Sequence, residues 1–352
     1  MKITRIGLCP YRVPLGAPVR GVAERTGWWI AVVLDDGAMG LGDVACWAGF
    51  GAGEAEVKGQ LESIGRLHGA STPDSVLQLD AWLVAEGWLP EVRHGVSLAL
   101  LDALGRSRGL SLATLLCGAL GGMPEETIWL HRQVSTATEA TAAIADGVSA
   151  LKIKVAQGDL HDDMARISAI RAAAPSASLR LDANGRWPLG EAPRILKMLA
   201  DFDIAWVEQP VAGLKDFLTL AKLDPPITLA ADECITDEAA LQAVLAYDAV
   251  ETVVLKPMFL GGPVSTVRMA RMATEAGRQV VITHALESAV GRAGAVQAAA
   301  AVGEGLNFCG LGAIGSAPIS IAVDDAPGHG LDLGAFTNGH DGAGWRWWGA
   351  RS

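Results

Sequence analysis

The sequence predicts an α/β protein whose larger part is a closed barrel of alternating strands and helices, preceded by a smaller α+β unit. Three observations carry this. Beyond residue 120 short apolar strands alternate with Ala-rich helical stretches, eight such strands occur in all, and no GxGxxG follows a first strand. Alternation implies parallel pairing, and eight repeats suggest closure into a (β/α) barrel. A doubly wound open sheet is the competing architecture, disfavoured by the missing glycine fingerprint.

In chain order, residues 28–34 (WWIAVVL) form an apolar strand and Asp36-Gly37 supplies a turn. A Gly/Ala-rich loop over 40–53 carries Trp47 and Phe50, and the pattern then turns helical to about Cys117. Within it, 92–104 (VRHGVSLALLDAL) has the apolar spacing of a half-buried helix. The segment GALGGMPEET marks a boundary. The strands that follow read IWLHRQV, ALKIKV, LRLDAN, AWVEQP, ITLAADE, TVVLKP, VVITH and NFCGLG. The expected division is an α+β unit over 1–122, a barrel over 123–320, and a C-terminal segment over 321–352. That segment holds Trp345, Trp347 and Trp348, expected to pack back on the N-terminal unit or on a partner.

Composition removes several classes of function. With 28 Lys+Arg against 39 Asp+Glu the net charge is −11, which suits neither nucleic acid nor an anionic membrane surface. Half the residues are hydrophobic, enough to offset chain entropy in a globular fold. The N-terminus lacks an apolar stretch of signal-peptide length. The longest uncharged run, 305–323, is broken by glycines and Pro318 and reads as a buried strand followed by a loop. Five scattered cysteines without a CxxC suggest no disulfide framework or thiolate zinc site, and a cytoplasmic protein is expected.

Active sites of such barrels lie at the C-terminal strand ends. Strand two ends Lys152-Ile153-Lys154, with both lysines on one face. Strand three ends Asp182-Ala183-Asn184, strand four Glu208-Gln209, strand five Asp232-Glu233 and strand six Lys256. From Lys154 to Asp182, Glu208, Asp232 and Lys256 the intervals are 28, 26, 24 and 24 residues, each one βα unit. A lone strand-end Asp is usually a cap and a lone KxK usually surface charge. Five in order inside apolar strands form a ring. Its three carboxylates would repel one another without a cation, and an oxygen-only ligand set favours a hard ion such as Mg²⁺, with Mn²⁺ an alternative. Burial and the ion's field would lower the pKa of Lys154 and Lys256 towards that of a general base for carbon acids.

The pieces LKIKV, LRLDAN, WVEQP, ADE and VVLKP, in this order, resemble the enolase superfamily and within it the muconate-lactonizing-enzyme branch. So does SLALLDALGRSRGLSLATLLCG, like the helix that leads from capping domain into barrel; the resemblance covers residues 28 to 312. It implies an α+β capping domain on a modified (β/α)7β barrel of the TIM type, with Mg²⁺ on Asp182, Glu208 and Asp232. It further implies acid/base roles for Lys154 and Lys256, with Lys152 helping to neutralise a small-molecule carboxylate substrate, in a homo-oligomer. The mandelate-racemase branch pairs a strand-seven His with a strand-six Asp; here strand six carries Lys256, so His284 lacks that partner. ITHALESAVGRAGAVQAAAAV resembles the strand-seven region of o-succinylbenzoate synthases, where Ser-Ser commonly replaces Thr283-His284. Dipeptide epimerases usually carry Asp-x-Asp on strand eight, where this chain has Cys309-Gly310-Leu311-Gly312. Where the family often has GxGE, this chain has Gly40-Leu41-Gly42-Asp43.

The candidate substrate contacts are Asn184, Glu233, Thr283, His284 and Glu287 on the barrel, with Arg25, Trp47 and Phe50 in the capping loops. The expected chemistry is proton abstraction α to a carboxylate through an enediolate. Dehydration of the o-succinylbenzoate synthase kind leads, followed by racemisation of an N-acylamino acid and by cycloisomerisation. A barrel that has lost activity and serves as a binding protein is the alternative from another class. Retention of a costly buried charge cluster weighs against it.

Overall fold

The computed structural model describes residues 1–19, 22–47, 51–312, 318–337 and 344–349. The N-terminal sheet is an antiparallel meander of β1 (Ile3–Val19), β2 (Val22–Leu34) and β3 (Met39–Ala45). Asp36-Gly37 turns β2 into β3: Gly37 adopts φ +88°, and Asp36 Oδ1 accepts from the Ala38 amide at 3.0 Å. Three α-helices of this unit follow, α1 (Glu54–Leu61), α2 (Val76–Ala85) and α3 (Pro90–Arg108). Helix α3 starts on Pro90 and stops at Gly109, whose φ of +66° carries no Cβ penalty for glycine. It lies almost on the backbone of β3. A Cβ on Gly42 would sit 1.8 Å from the Gly95 carbonyl, so the two glycines of GLGD are what let helix and sheet meet.

Helix α4 (Leu112–Leu120), N-capped by Ser111, leads through Gly121-Gly122 to the barrel. Its parallel strands are β5 (Arg132–Gln133), β6 (Ala150–Lys154), β7 (Ser178–Asp182), β8 (Ile204–Glu208), β9 (Leu229–Ala231), β10 (Val250–Leu255) and β11 (Gln279–Ile282), paired in chain order. Crossovers run through α5 (Ala137–Ala145), α6 (Leu160–Ala173), α7 (Ala192–Leu199), α8 (Gly213–Ala221), α9 (Glu238–Leu245) and α11 (Pro263–Glu275), the last preceded by the short α10 (Pro257–Leu260). After α12 (Ala289–Val302) the chain bridges Val280 and Thr283 on one side, from Leu306 and Gly310, and Leu130 on the other, from Cys309. The sheet therefore closes, as a (β/α)7β barrel. Strands buried on both faces explain the uninterrupted apolar runs of the sequence.

Three elements differ from the sequence reading. Residues 40–45 of the expected 40–53 loop are strand β3, paired with β2 along its whole length. IWLHRQV is not one strand: β4 (Thr127–Trp129) pairs antiparallel with β12 (Ser320–Ala322), and only β5 joins the barrel. Leu130 and His131 give their amides to Ile319 and Cys309, which splits the run between two partners. The expected eighth strand NFCGLG makes only isolated bridges. Beyond the barrel, α13 (Gly334–Thr337) is one turn, and β13 (Arg346–Trp348) pairs with β1 at the sheet edge. His329 donates its amide to Asp102 of α3 at 2.8 Å, and Arg5 lies over Trp347 at 4.1 Å.

Candidate active site

Parallel register sets the site. Lys154, Asp182 and Glu208 are paired Cα partners on β6, β7 and β8, so their side chains leave the last pleat of three adjacent strands at one height. One pleat lower, Trp206, Ala230, Val254 and Val281 pack together, with the Arg180 guanidinium over Trp206 at 4.2 Å. The three carboxylates are buried, at 0% for Asp182, 4% for Glu208 and 5% for Asp232. Each receives an ammonium. Lys152 Nζ lies 2.8 Å from both Glu208 oxygens and 2.7 Å from Asp182 Oδ2. Lys154 Nζ donates to Asp182 Oδ2 at 2.6 Å and to Asn184 Oδ1 at 2.7 Å, and Lys256 donates to both oxygens of Asp232. Asn184 Nδ2 passes on to Glu233 Oε1 at 2.9 Å, so a hydrogen-bonded belt runs from Glu208 through both strand-two lysines to Glu233.

The expected lowering of the lysine pKa values invoked an ion's field as well as burial; beside the acids alone, Lys152 and Lys256 shift upwards. Burial does oppose the charge on Lys152, but Asp182, Glu208 and Asp232 outweigh it and its pKa rises. Lys256 is raised likewise, burial being overcome by Asp232, Glu233 and Glu208. Among the acids, burial would raise Asp182, yet Lys152 and Lys154 pull it well below the carboxylate range. Glu208 goes the other way, pushed up by burial and then by the charge of Asp182. Asp232 is raised by burial and by Glu233, against Lys256.

Among the described residues no three His, Cys, Asp or Glu side chains already stand around one metal position. The donor set nevertheless suits a hard cation: Asp182, Glu208 and Asp232 offer carboxylate oxygens only, and those oxygens already hold positive charge, as ammonium.

The other candidates separate into those at the belt and those behind it. Asn184, at φ +46°, and Glu233 belong to the belt. Thr283 directly follows β11 and donates to the Gly310 carbonyl at 2.9 Å. His284 spends both ring nitrogens on backbone: Nδ1 accepts from Leu286 N at 3.0 Å and Nε2 contacts the Gly312 carbonyl at 3.1 Å. Burial lowers its pKa to about 4, so it is neutral. Glu287 is buried and accepts from the Ala285 amide; burial pushes it up to about 7. Arg25 lies 4.5 Å over Trp47 and donates to three backbone carbonyls. Phe50 lies outside the described residues.

Two supporting groups were not singled out from the sequence. Gln209, at φ +38°, accepts from the amides of Asp232 and Cys234 at 3.1 Å each and so ties strand four to strand five. Its place in WVEQP was visible; the acceptor role needs the neighbouring strand. Asp43 accepts from Tyr11 at 2.7 Å and from Ser288, a pairing of residues 245 apart that no local pattern announces.

The family described as "Enolase C-terminal domain-like" matches residues 135–334, which contain every member of the belt. The chain belongs to the enolase superfamily. It falls in the muconate-lactonizing-enzyme branch. It is similar to an o-succinylbenzoate synthase of Desulfotalea psychrophila, 28% identical over 319 residues, covering 82% of this chain and 86% of that one. The chain spans only 52% to 55% of the length of several other curated relatives, and 17% of one. The solved N-succinyl Arg/Lys racemase of Bacillus cereus superposes with a TM-score of 0.87 over all of both chains at 21% identity. A dipeptide epimerase of Enterococcus faecalis, complexed with Mg and a dipeptide, gives 0.81 at 22% identity, over 94% of this chain and 99% of that one. At such identity these two structures share the fold. No helix among the described residues of this superfamily member is long and apolar enough to cross a membrane.

Proposed function

We propose that this protein is a cytoplasmic Mg²⁺-dependent enzyme that removes a proton α to a carboxylate, with o-succinylbenzoate synthase-like dehydration as its reaction. The observation that carries this is the placement of Lys154 and Lys256. They end β6 and precede α10, with the acids of β7, β8 and the β9 end between them in the sheet order. The related o-succinylbenzoate synthases support dehydration as the leading reaction. A Mg²⁺ held by Asp182, Glu208 and Asp232 would supply the Lewis acid for the substrate carboxylate. Lys154 Nζ, as free amine, takes the α-proton; the C–H electron pair moves into the enediolate, and the ammonium so formed returns its proton to the departing β-hydroxyl as water. Lys256, as ammonium, faces the growing negative charge from the other side, and Lys152 offsets the carboxylate's charge. We further propose the division into 1–122, 123–320 and 321–352.

A lysine on each side also suits two-base racemisation of an N-acylamino acid, the second reading. Solvent-deuterium exchange separates them. For dehydration, Lys154→Ala loses both turnover and exchange at the α-carbon. For racemisation, Lys154→Ala and Lys256→Ala each still exchange one enantiomer of an N-succinylamino acid. Undiminished exchange in Lys154→Ala refutes Lys154 as the base. A wild-type protein that binds no Mg²⁺ by calorimetry points to the inactive binding barrel.

A further inference from the structure

Arg25 sits on β2, 3% exposed, and its guanidinium serves three carbonyls on two chain segments far apart in sequence. Nη1 donates to Cys46, just past the end of β3. Nη2 donates to Ala285 at 3.0 Å and Nε to Leu286 at 3.2 Å, both in the loop that follows strand seven. That loop is held in an unfavourable shape, for Leu286 has φ +60°. A non-glycine residue stays there only when its surroundings over-determine it. Here they do. Leu286 N is taken by His284, Ala285 N by Glu287, and Ser288 N and Oγ by Asp43.

The clamped segments form a wall beside Lys256. Ala45, Met258 and Ala285 pack together with Phe259, Met258 lies two residues past Lys256, and the Ala45 amide meets its sulfur at 3.4 Å. We propose that Arg25 is a positioning residue: it fastens Cys46, at the end of β3, and the 283–288 loop to each other and thereby fixes the substrate-facing wall. It does not contact substrate. The inference rests on the proposed active site at this end of the barrel. A planar fork presents its donors from three nitrogens in fixed directions and so reaches carbonyls on two segments at once, whereas a lysine offers all its donors from one nitrogen on a flexible stem.

The test uses Arg25→Met and Arg25→Lys in the full chain. Hydrogen–deuterium exchange over 283–288 should quicken about tenfold or more in Arg25→Met, as a locally opened segment would. KM should rise roughly ten- to a hundredfold through misplacement of the wall, with kcat held within about threefold. Mg²⁺ affinity by calorimetry should not change, and Arg25→Lys should lie between Met and wild type. Unaltered exchange overturns the clamp. A fall in kcat at constant KM overturns the positioning role. If Arg25→Met does not fold, Arg25→Lys decides both readouts. If the wild type turns over neither the dehydration substrate nor N-succinylamino acids, the proposed function fails, and the exchange result alone decides the clamp.

Discussion

Removing one charge from the belt tests whether the acids and lysines act as one unit. Asp182 is fully buried and accepts three hydrogen bonds, from Lys152 at 2.7 Å, Lys154 at 2.6 Å and the Asn184 amide at 2.9 Å. Asp182→Asn keeps the shape but leaves two largely buried ammonium groups with one acid fewer. Lys152 retains Glu208; within the belt Lys154 retains the neutral Asn184 oxygen. Breaking a buried pair by removing one partner costs about 3–5 kcal/mol. Lys154→Met should cost less, because Asp182 keeps Lys152. In the double variant the surplus charge is gone, so its loss should fall short of the sum by roughly 1–3 kcal/mol, the range for residues sharing one network. Urea unfolding of the four proteins at pH 7, without added metal, measures this. Losses that add to within about 0.5 kcal/mol would show that the belt is a set of independent pairs.

Two further outcomes follow from the same geometry. Asp43 and Glu287 are pushed up, to about 6 and about 7, mainly by burial, above the unfolded values of about 4. The folded state thus holds more protons between about pH 4 and pH 7, and stability falls as pH rises through that window. For Glu287 alone the cost at alkaline pH is on the order of 3 kcal/mol, and Glu287→Gln should flatten the profile; an unchanged slope by urea unfolding against pH refutes the assignment. Asp232→Asn should weaken Mg²⁺ binding by calorimetry and cut turnover by about two or more orders of magnitude; wild-type affinity would remove Asp232 from the ligand set.

The belt was legible because it depends on one-dimensional spacing. Lys154, Asp182, Glu208, Asp232 and Lys256 recur once per βα unit, and parallel register brings the first three to equal height, while Asp232 stands two residues past Ala230, the partner of Glu208. Gly40 and Gly42 were visible as a motif, but the reason for them, the Gly95 carbonyl of α3, belongs to packing. Least legible were groups whose partners lie across the two units. Arg25 looks from the sequence like a loop cation available to substrate, and only the structure shows the carbonyls of Cys46, Ala285 and Leu286 around it. His284 misleads within its own unit: its type suggests chemistry, but the backbone of Leu286 and Gly312 accounts for both nitrogens. The upward shifts of Lys152 and Lys256 stayed hidden for a related reason, since burial was visible in the apolar strands but the close approach of the acids was not.

Those acids also bear on what a divalent ion can contribute. From the sequence, three converging carboxylates without a cation should repel and make the metal-free protein costly. In the structure Lys152, Lys154 and Lys256 already compensate them, so release of ammonium groups is charged against any ion that takes their place. A ligand bound only by the folded state adds RT ln(1 + [L]/Kd), about 2.7 kcal/mol at a hundredfold excess over Kd, and the competition raises the apparent Kd. Lys152→Met removes the ammonium that both Glu208 oxygens accept from while leaving Asp182 its bond to Lys154. The metal-free variant should therefore melt lower than wild type, yet gain more from a given concentration of Mg²⁺. Thermal unfolding with and without Mg²⁺, at low salt, reads both shifts on one pair of proteins. A gain in Lys152→Met equal to or smaller than that of wild type would mean that Lys152 does not compete for the carboxylates, and that its contacts with Asp182 and Glu208 are no substitute for a metal ion.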